Sequence, residues 1–225
     1  MREFEFVSLD SLDFDLKAET TEQGRKYLTP KGNLYPSVTT VLSSYNKKQI
    51  LEWRNRVGEE AANKIAGKAS RRGTSVHHVC EQYLLNLMND MKMMTMMPNV
   101  KELFLQLRGK LDENIGKIYC LEQALYSDKL QIAGRVDCIA EWNGQLSVID
   151  FKTSTKKKDE GNILNYFMQC SAYAEMFEEI TSLPIEQIVV AIATEEGESQ
   201  FFVRKKKDYL ENLHSYVFQY HESTK

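Results

Sequence analysis

Two aspartates and a lysine fall within the twenty residues Gly134 to Thr153, GRVDCIAEWNGQLSVIDFKT. Asn143-Gly144 between two apolar runs marks a two-residue type I′ hairpin turn, whose central residues both need φ > 0. A hairpin closed there sets Trp142 opposite Gln145. Counting back along both strands sets Asp137 opposite Asp150 and Arg135 opposite Lys152. Side chains alternate along a strand, so these four share one face. Carboxylates directly opposite each other repel, and a divalent cation between them removes the conflict. The next rung, with two cations, calls for a nearby anion. Metal beside carboxylates, with basic groups one rung on, is a layout for hydrolysing a phosphodiester. A solvated hairpin with scattered charges fits less well, because Leu146, Val148 and Ile149 bury both faces of the second strand.

The motifs around this hairpin carry a resemblance. Asp137, followed by Asp150-Phe151-Lys152 at the end of an apolar strand, resembles the PD-(D/E)xK nuclease superfamily, with Asp in the second acidic position as in RecB-type members. Arg72-Gly73-Thr74-Ser75-Val76-His77 resembles their GTxxH motif, and Gln169-Cys170-Ser171-Ala172-Tyr173 their QxxxY motif. Glu122 lies upstream in LEQALYS. The segment Tyr35 to Leu42, with Trp53 further on, is similar to mitochondrial and phage exonucleases of this superfamily. The likeness runs from roughly residue 25 to 180.

The resemblance implies roles. Asp137 and Asp150 would bind one or two divalent cations, Mg²⁺ or Mn²⁺, which take oxygen ligands. The main-chain carbonyl of Phe151 and the imidazole of His77 would add ligands, and a nitrogen ligand favours Mn²⁺. Lys152 would orient the attacking water and neutralise charge; two aspartates beside it keep it protonated, so it is a poor general base. Glu122 would orient metal-bound water, and Gln169 and Tyr173 the scissile strand. Contacts to DNA are expected from Arg71, Arg72, Thr74, Arg135, Lys156 and Tyr173.

The elements that must position these residues follow from pattern. Residues 1–20 read as an edge strand or arm, and Lys26 to Tyr35 as a hairpin turning at Gly32-Asn33. A helix is expected from Asn46 through Trp53 to about Asn63, then a short piece broken at Gly67. A strong helix from Ser70 to Met88 carries Val76, Val79, Tyr83, Leu84 and Leu87 at helical spacing, with His77 and Glu81 on a neighbouring face. The methionine-rich stretch Met88 to Met97 reads as core filler or as a lid. Asn99 to Ile115 is helical, and Glu122 to Leu130 strand and turn. Ile163 to Ile180 is helical, Leu183 to Thr194 and Gln200 to Val203 are strands, and Lys207 to Tyr220 is a closing helix. The fold class is therefore α/β, a central mixed sheet flanked by helices with an N-terminal helical wall, and the resemblance implies that this is a PD-(D/E)xK restriction-endonuclease-like core.

Composition sets outer bounds. A chain of 225 residues fits one domain, divided into N-terminal strands and arm (1–45), helical wall (46–115) and catalytic core (116–225). The net charge of −3 argues against indiscriminate nucleic-acid binding but permits a local basic channel. Between Lys47 and Arg72 there are eight basic and three acidic side chains. The four cysteines form no CxxC pair and none follows Cys170, so no iron–sulfur cluster is expected. No apolar run is long enough to span a membrane. The acidic start MREFEFVSLDSLDFDL resembles neither a signal nor a transit peptide, which points to the cytoplasm of a bacterial or phage-infected cell.

Taken together, these features suggest a monomeric, metal-dependent DNA exonuclease acting on free ends of single-stranded DNA. Tyr45, Trp53 and Tyr83 are available to stack bases. The alternatives are a structure-specific endonuclease of the same fold and a non-catalytic DNA-end-binding recombination module. The intact Asp137, Asp150 and Lys152 set argues against the second.

Overall fold

A computed structural model describes residues 2–224. Its centre is a five-stranded mixed sheet in the order β4-β5-β6-β7-β8: β4 Ile115–Ser127, β5 Ile132–Trp142, β6 Gln145–Ser154, β7 Gln187–Thr194 and β8 Gln200–Lys205. Strands β4, β5 and β6 form an antiparallel meander. Strand β7 runs parallel to β6, which requires a crossover. Helix α6, Leu164–Thr181, supplies it. The hairpin turn is where the sequence puts it: Asn143 and Gly144 have φ of 53° and 77°, and Trp142 pairs with Gln145.

The β5–β6 ladder then departs from expectation. It runs back only to the pair Cys138 and Ile149 and stops short of the aspartates. The backbone N–H of Phe151 is donated instead to Asp137 Oδ2 at 2.8 Å. Arg135 is accordingly not opposite Lys152. It is exposed, bonds the Glu122 carbonyl and pairs with Asp15 at 3.2 Å.

Helices cover both faces of the sheet. On one face α6, the closing helix α7 (Leu210–Ser223) and the short α1 (Val38–Ser44) bury Val136, Ile139, Val148, Phe167, Val190 and Val217. On the other, α3 (Glu59–Leu84) and α5 (Pro98–Asn114) bury Val76, Phe104, Leu107, Ile149, Phe151 and Val189. Alternation along β6 and β7 thus serves two cores, each large side chain worth about 1.5–3 kcal/mol on full burial. The four cysteines are buried and unpaired, two in each cluster.

The helical wall is segmented differently from its pattern. Helix α2, Lys47–Val57, ends at Gly58, whose φ of 86° suits glycine. Helix α3 then continues unbroken through Gly67. A glycine inside a helix costs only about 1 kcal/mol relative to alanine, which the packing of the downstream half outweighs. Ser37 starts α1 by accepting the Thr40 N–H at 3.0 Å, an N-cap. The sequence shows this stretch only as apolar residues mixed with hydroxyls. A short helix, α4 (Asp90–Thr95), holds Met91, Met93 and Met94, and Met91, Met94 and the following Met97 are well exposed.

The N-terminal residues strap α3 to the sheet. Phe4 is clasped by the Asn86 amide, which accepts its N–H and donates to its carbonyl, both at 2.9 Å. The Phe4 ring meets Tyr83 edge-on. Beyond it, β1 (Lys17–Thr21), β2 (Gly24–Leu28) and β3 (Leu34–Pro36) form a separate three-stranded sheet.

Candidate active site

Four elements converge on one point. Helix α3 brings His77, β4 Glu122, β5 Asp137, and β6 Asp150 and Lys152. A ligand atom each from His77, Glu122 and Asp137 lies within 4.8 Å of the others. His77 Nδ1 is 3.4 Å from Asp137 Oδ1, and the ring stands edge-on to Phe151 at 6.4 Å. Both strands bearing Glu122 and Asp137 lose strict alternation there. Cys120 and Leu125, five apart, share one core cluster, and so do Val136 and Ile139, three apart. Glu122 takes up the irregularity with φ 46°, an uncommon conformation for a non-glycine and a frequent mark of functional sites.

Burial decides the electrostatics. Asp150 is 1 % exposed, and neither carboxylate oxygen has a hydrogen bond of normal geometry, although Lys152 lies against Oδ2 as an ion pair. Burial pushes its pKa up to about 6, opposed by Lys152 and aided by Asp137. Burial and then Asp137 raise Glu122 to about 7. Burial would raise Asp137 too, but His77, Lys152 and the Phe151 N–H outweigh it and hold the carboxyl below its ordinary value. Burial would lower His77, and Asp137 overcomes this and raises it. Lys152 is likewise held above its ordinary value: Asp150 and Asp137 overcome burial. Its ammonium also sits 5.2 Å from the centre of the Tyr166 ring.

These residues fit a divalent cation. Three mutually close donors, one nitrogen and two carboxylate, stand beside a buried carboxylate with unbonded oxygens. A bound cation would satisfy Asp150 and relieve the like charge among Asp137, Asp150 and Glu122. Glu122, expected to orient metal-bound water, has its carboxylate within reach of His77 and Asp137.

The remaining expected residues divide by exposure. Arg71, Thr74 and Lys156 are exposed. Arg72 is buried and engaged: Nε bonds Thr153 Oγ1 at 3.1 Å, and Nη1 pairs with Glu195 at 3.0 Å. It ties α3 to β6 one and a half turns before His77. Tyr173 is 3 % exposed, its hydroxyl accepting from Gln169 Nε2 at 3.3 Å. Its ring packs so closely on Gly134 that a Cβ there would stand 2.8 Å from Cε1. Tyr173 therefore supports the floor under β5. Tyr166 escaped notice, although it lies three residues before Gln169, a spacing that shares the QxxxY face of α6.

A model of the PD-(D/E)XK nuclease superfamily matches residues 102–222, more than half of the chain. Mitochondrial genome maintenance exonuclease 1 of Xenopus tropicalis is 28 % identical over 160 residues, covering 68 % of this chain and 45 % of the relative. The human counterpart is 30 % identical over 135 residues, covering 56 % and 38 %. The chain thus spans less than half the length of these relatives.

Proposed function

Because the chain belongs to the PD-(D/E)XK nuclease superfamily, we propose that it is a metal-dependent deoxyribonuclease that digests DNA from a free end, with single strands as its substrate. The observation that carries the reading is Asp150, a buried carboxylate with two unbonded oxygens, placed beside Asp137 and Lys152. Lys152 is one ammonium facing two buried aspartates, and a metal cation would offset the carboxylate charge it leaves uncompensated.

His77, Glu122, Asp137 and Asp150 would hold Mg²⁺ or Mn²⁺, with the Phe151 carbonyl as a further donor. When bound, the metal would acidify a water and polarise the phosphate. Lys152, kept protonated by its aspartates, donates to the phosphate or leaving oxygen and offsets developing charge. Tyr166 limits where that ammonium can swing. Asp137, anchored by the Phe151 N–H, fixes the position of the ligand set, and Gln169 and Tyr173 fix the strand beneath it. Arg71, Thr74 and Lys156 contact the backbone of the substrate.

Free-end digestion draws support from the mitochondrial exonucleases to which the chain is similar. The single-strand preference rests on charge. Basic residues gather on α2 and the first half of α3 in a protein of net charge −3, which suits a narrow track better than a broad duplex-binding face. The experiment is digestion of end-labelled linear and circular single strands and blunt duplexes with each metal. Linear single strands are expected to be degraded fastest, and circular ones to survive. Rapid cutting of circles would replace this reading with an endonuclease.

A further inference from the structure

Away from the carboxylates lies a groove of about 1070 Å³. Strands β2 and β3 form one wall, α1 and the start of α2 another, and the end of α7 the third. Its lining is polar and cationic: Lys26 and Lys47 against the single acid Glu22, with amides such as Asn33 and Gln131 and the Tyr220 ring. The wall is built to hold shape. Thr40 Oγ1 accepts the Arg25 N–H at 3.0 Å and bonds Ser37 Oγ at 2.8 Å. A Cβ on Gly24, whose φ is 116°, would stand 2.4 Å from Thr40, so the β1–β2 turn is seated directly on α1.

The groove opens at the catalytic end of the sheet. Strand β5 runs antiparallel to β6, so Gln131, just before β5, lies at the end where β6 finishes beyond Asp150 and Lys152. From Gln131 to Asp137 is six residues, about 20 Å at ~3.3 Å per residue. That distance equals about six stacked nucleotides at ~3.4 Å each. Cations, neutral hydrogen-bonding groups and an aromatic ring along a groove are the chemistry that tracks a single-stranded backbone without reading sequence.

We infer that this groove is a second binding site for single-stranded DNA, holding the sugar–phosphate backbone about six nucleotides from the carboxylates. The inference rests on the proposed DNA substrate. A strand long enough to fill both places is bound at two points, and a short one only at the catalytic point, so strand length governs affinity.

The test is the double substitution Lys26→Glu with Gln131→Glu in the full chain, two lining residues that lie outside the basic track of α2 and α3. Binding is read by anisotropy of fluorescent single strands of about six and about thirty nucleotides, and cleavage is followed on the same strands. The variant is expected to bind the long strand about tenfold more weakly, with a shallower salt dependence. Its cleavage of the short strand is expected to match the parent. Unchanged long-strand binding, or equal losses on both lengths, would overturn the groove. If the long strand binds through the groove but neither strand is cut by the parent, the groove stands and the nuclease reading falls.

Discussion

Phe151 donates its backbone N–H to Oδ2 of Asp137 at 2.8 Å, so one aspartate of the site is fastened to the strand that carries the other. This contact ends the hairpin ladder and gives the two carboxylates different characters. Asp137 is bonded and held ionised. Asp150 is met only by the Lys152 ammonium and has a raised pKa.

Substitution is expected to separate them. Asp150→Asn and Asp137→Asn should each reduce cleavage by at least about a hundredfold. Asp150→Asn relieves the repulsion from Asp137 but takes away the ion-pair partner of Lys152, so the two effects should nearly cancel in the metal-free protein. Asp137→Asn costs His77 its partner and should destabilise by about 1–3 kcal/mol. Urea denaturation without metal measures both, and equal losses would contradict the assignment.

The pH dependence follows from the raised carboxyls. Glu122 rises from 4.5 to about 7 and Asp150 from 3.8 to about 6. A folded-state pKa above the unfolded one contributes stability at low pH that is lost as pH rises through the folded value. Metal-free stability from these groups should therefore decline between about pH 4 and 7. Metal needs ionised ligands, so its binding near pH 6.5 should release protons. The gain in Tm on adding Mn²⁺ or Mg²⁺ should grow from about pH 6 to 8. Calorimetry in two buffers of different ionisation heat counts the protons, and a Tm gain that ignores pH would count against the site.

Arg72 is a positioning residue. Arg72→Ala should cost about 1.5–3 kcal/mol, because Thr153 and Glu195 lose a charged partner. Loosening α3 near His77 should weaken Mn²⁺ binding, and Arg72→Lys should restore part of it. A fall in DNA affinity with metal binding and stability intact would make Arg72 a phosphate contact instead.

Gly134→Ala should destabilise by about 1–3 kcal/mol, since its Cβ would press on the Tyr173 ring. Tyr173→Phe, which loses only the Gln169 hydrogen bond, should cost under about 1.5 kcal/mol. Thermal unfolding of both variants compares packing with hydrogen bonding.

Much of the fold was legible because its signals are local. Asn143-Gly144 announced the hairpin, and Pro98 stands at the first turn of α5 where proline is tolerated. The register beside the site was not legible. Counting assumes that the ladder continues; it ends at Cys138 and Ile149, and Glu122 on the neighbouring strand takes a backbone angle that its residue type does not require. Arg72 reads as a DNA contact beside Arg71, yet helical phase turns one inward and the other outward. Gly58 and Gly67 look equivalent in sequence, and only packing of the downstream helix shows which one breaks the chain.

Helix α3 behaves as a cantilever. Lys68 and Arg72 pin it to Glu195, Arg72 also bonds Thr153, and Asn86 clamps its far end. Residues 59–70 bury only Ala62, and α2 buries nothing. The overhanging half can therefore bend toward an incoming strand while His77, beyond the pin, keeps its distance from Asp137. Substrate capture and ligand geometry are mechanically insulated from each other. Amide exchange would register this as rapid exchange over 47–66 beside strong protection over 72–84, and uniform protection along α3 would show a rigid beam instead.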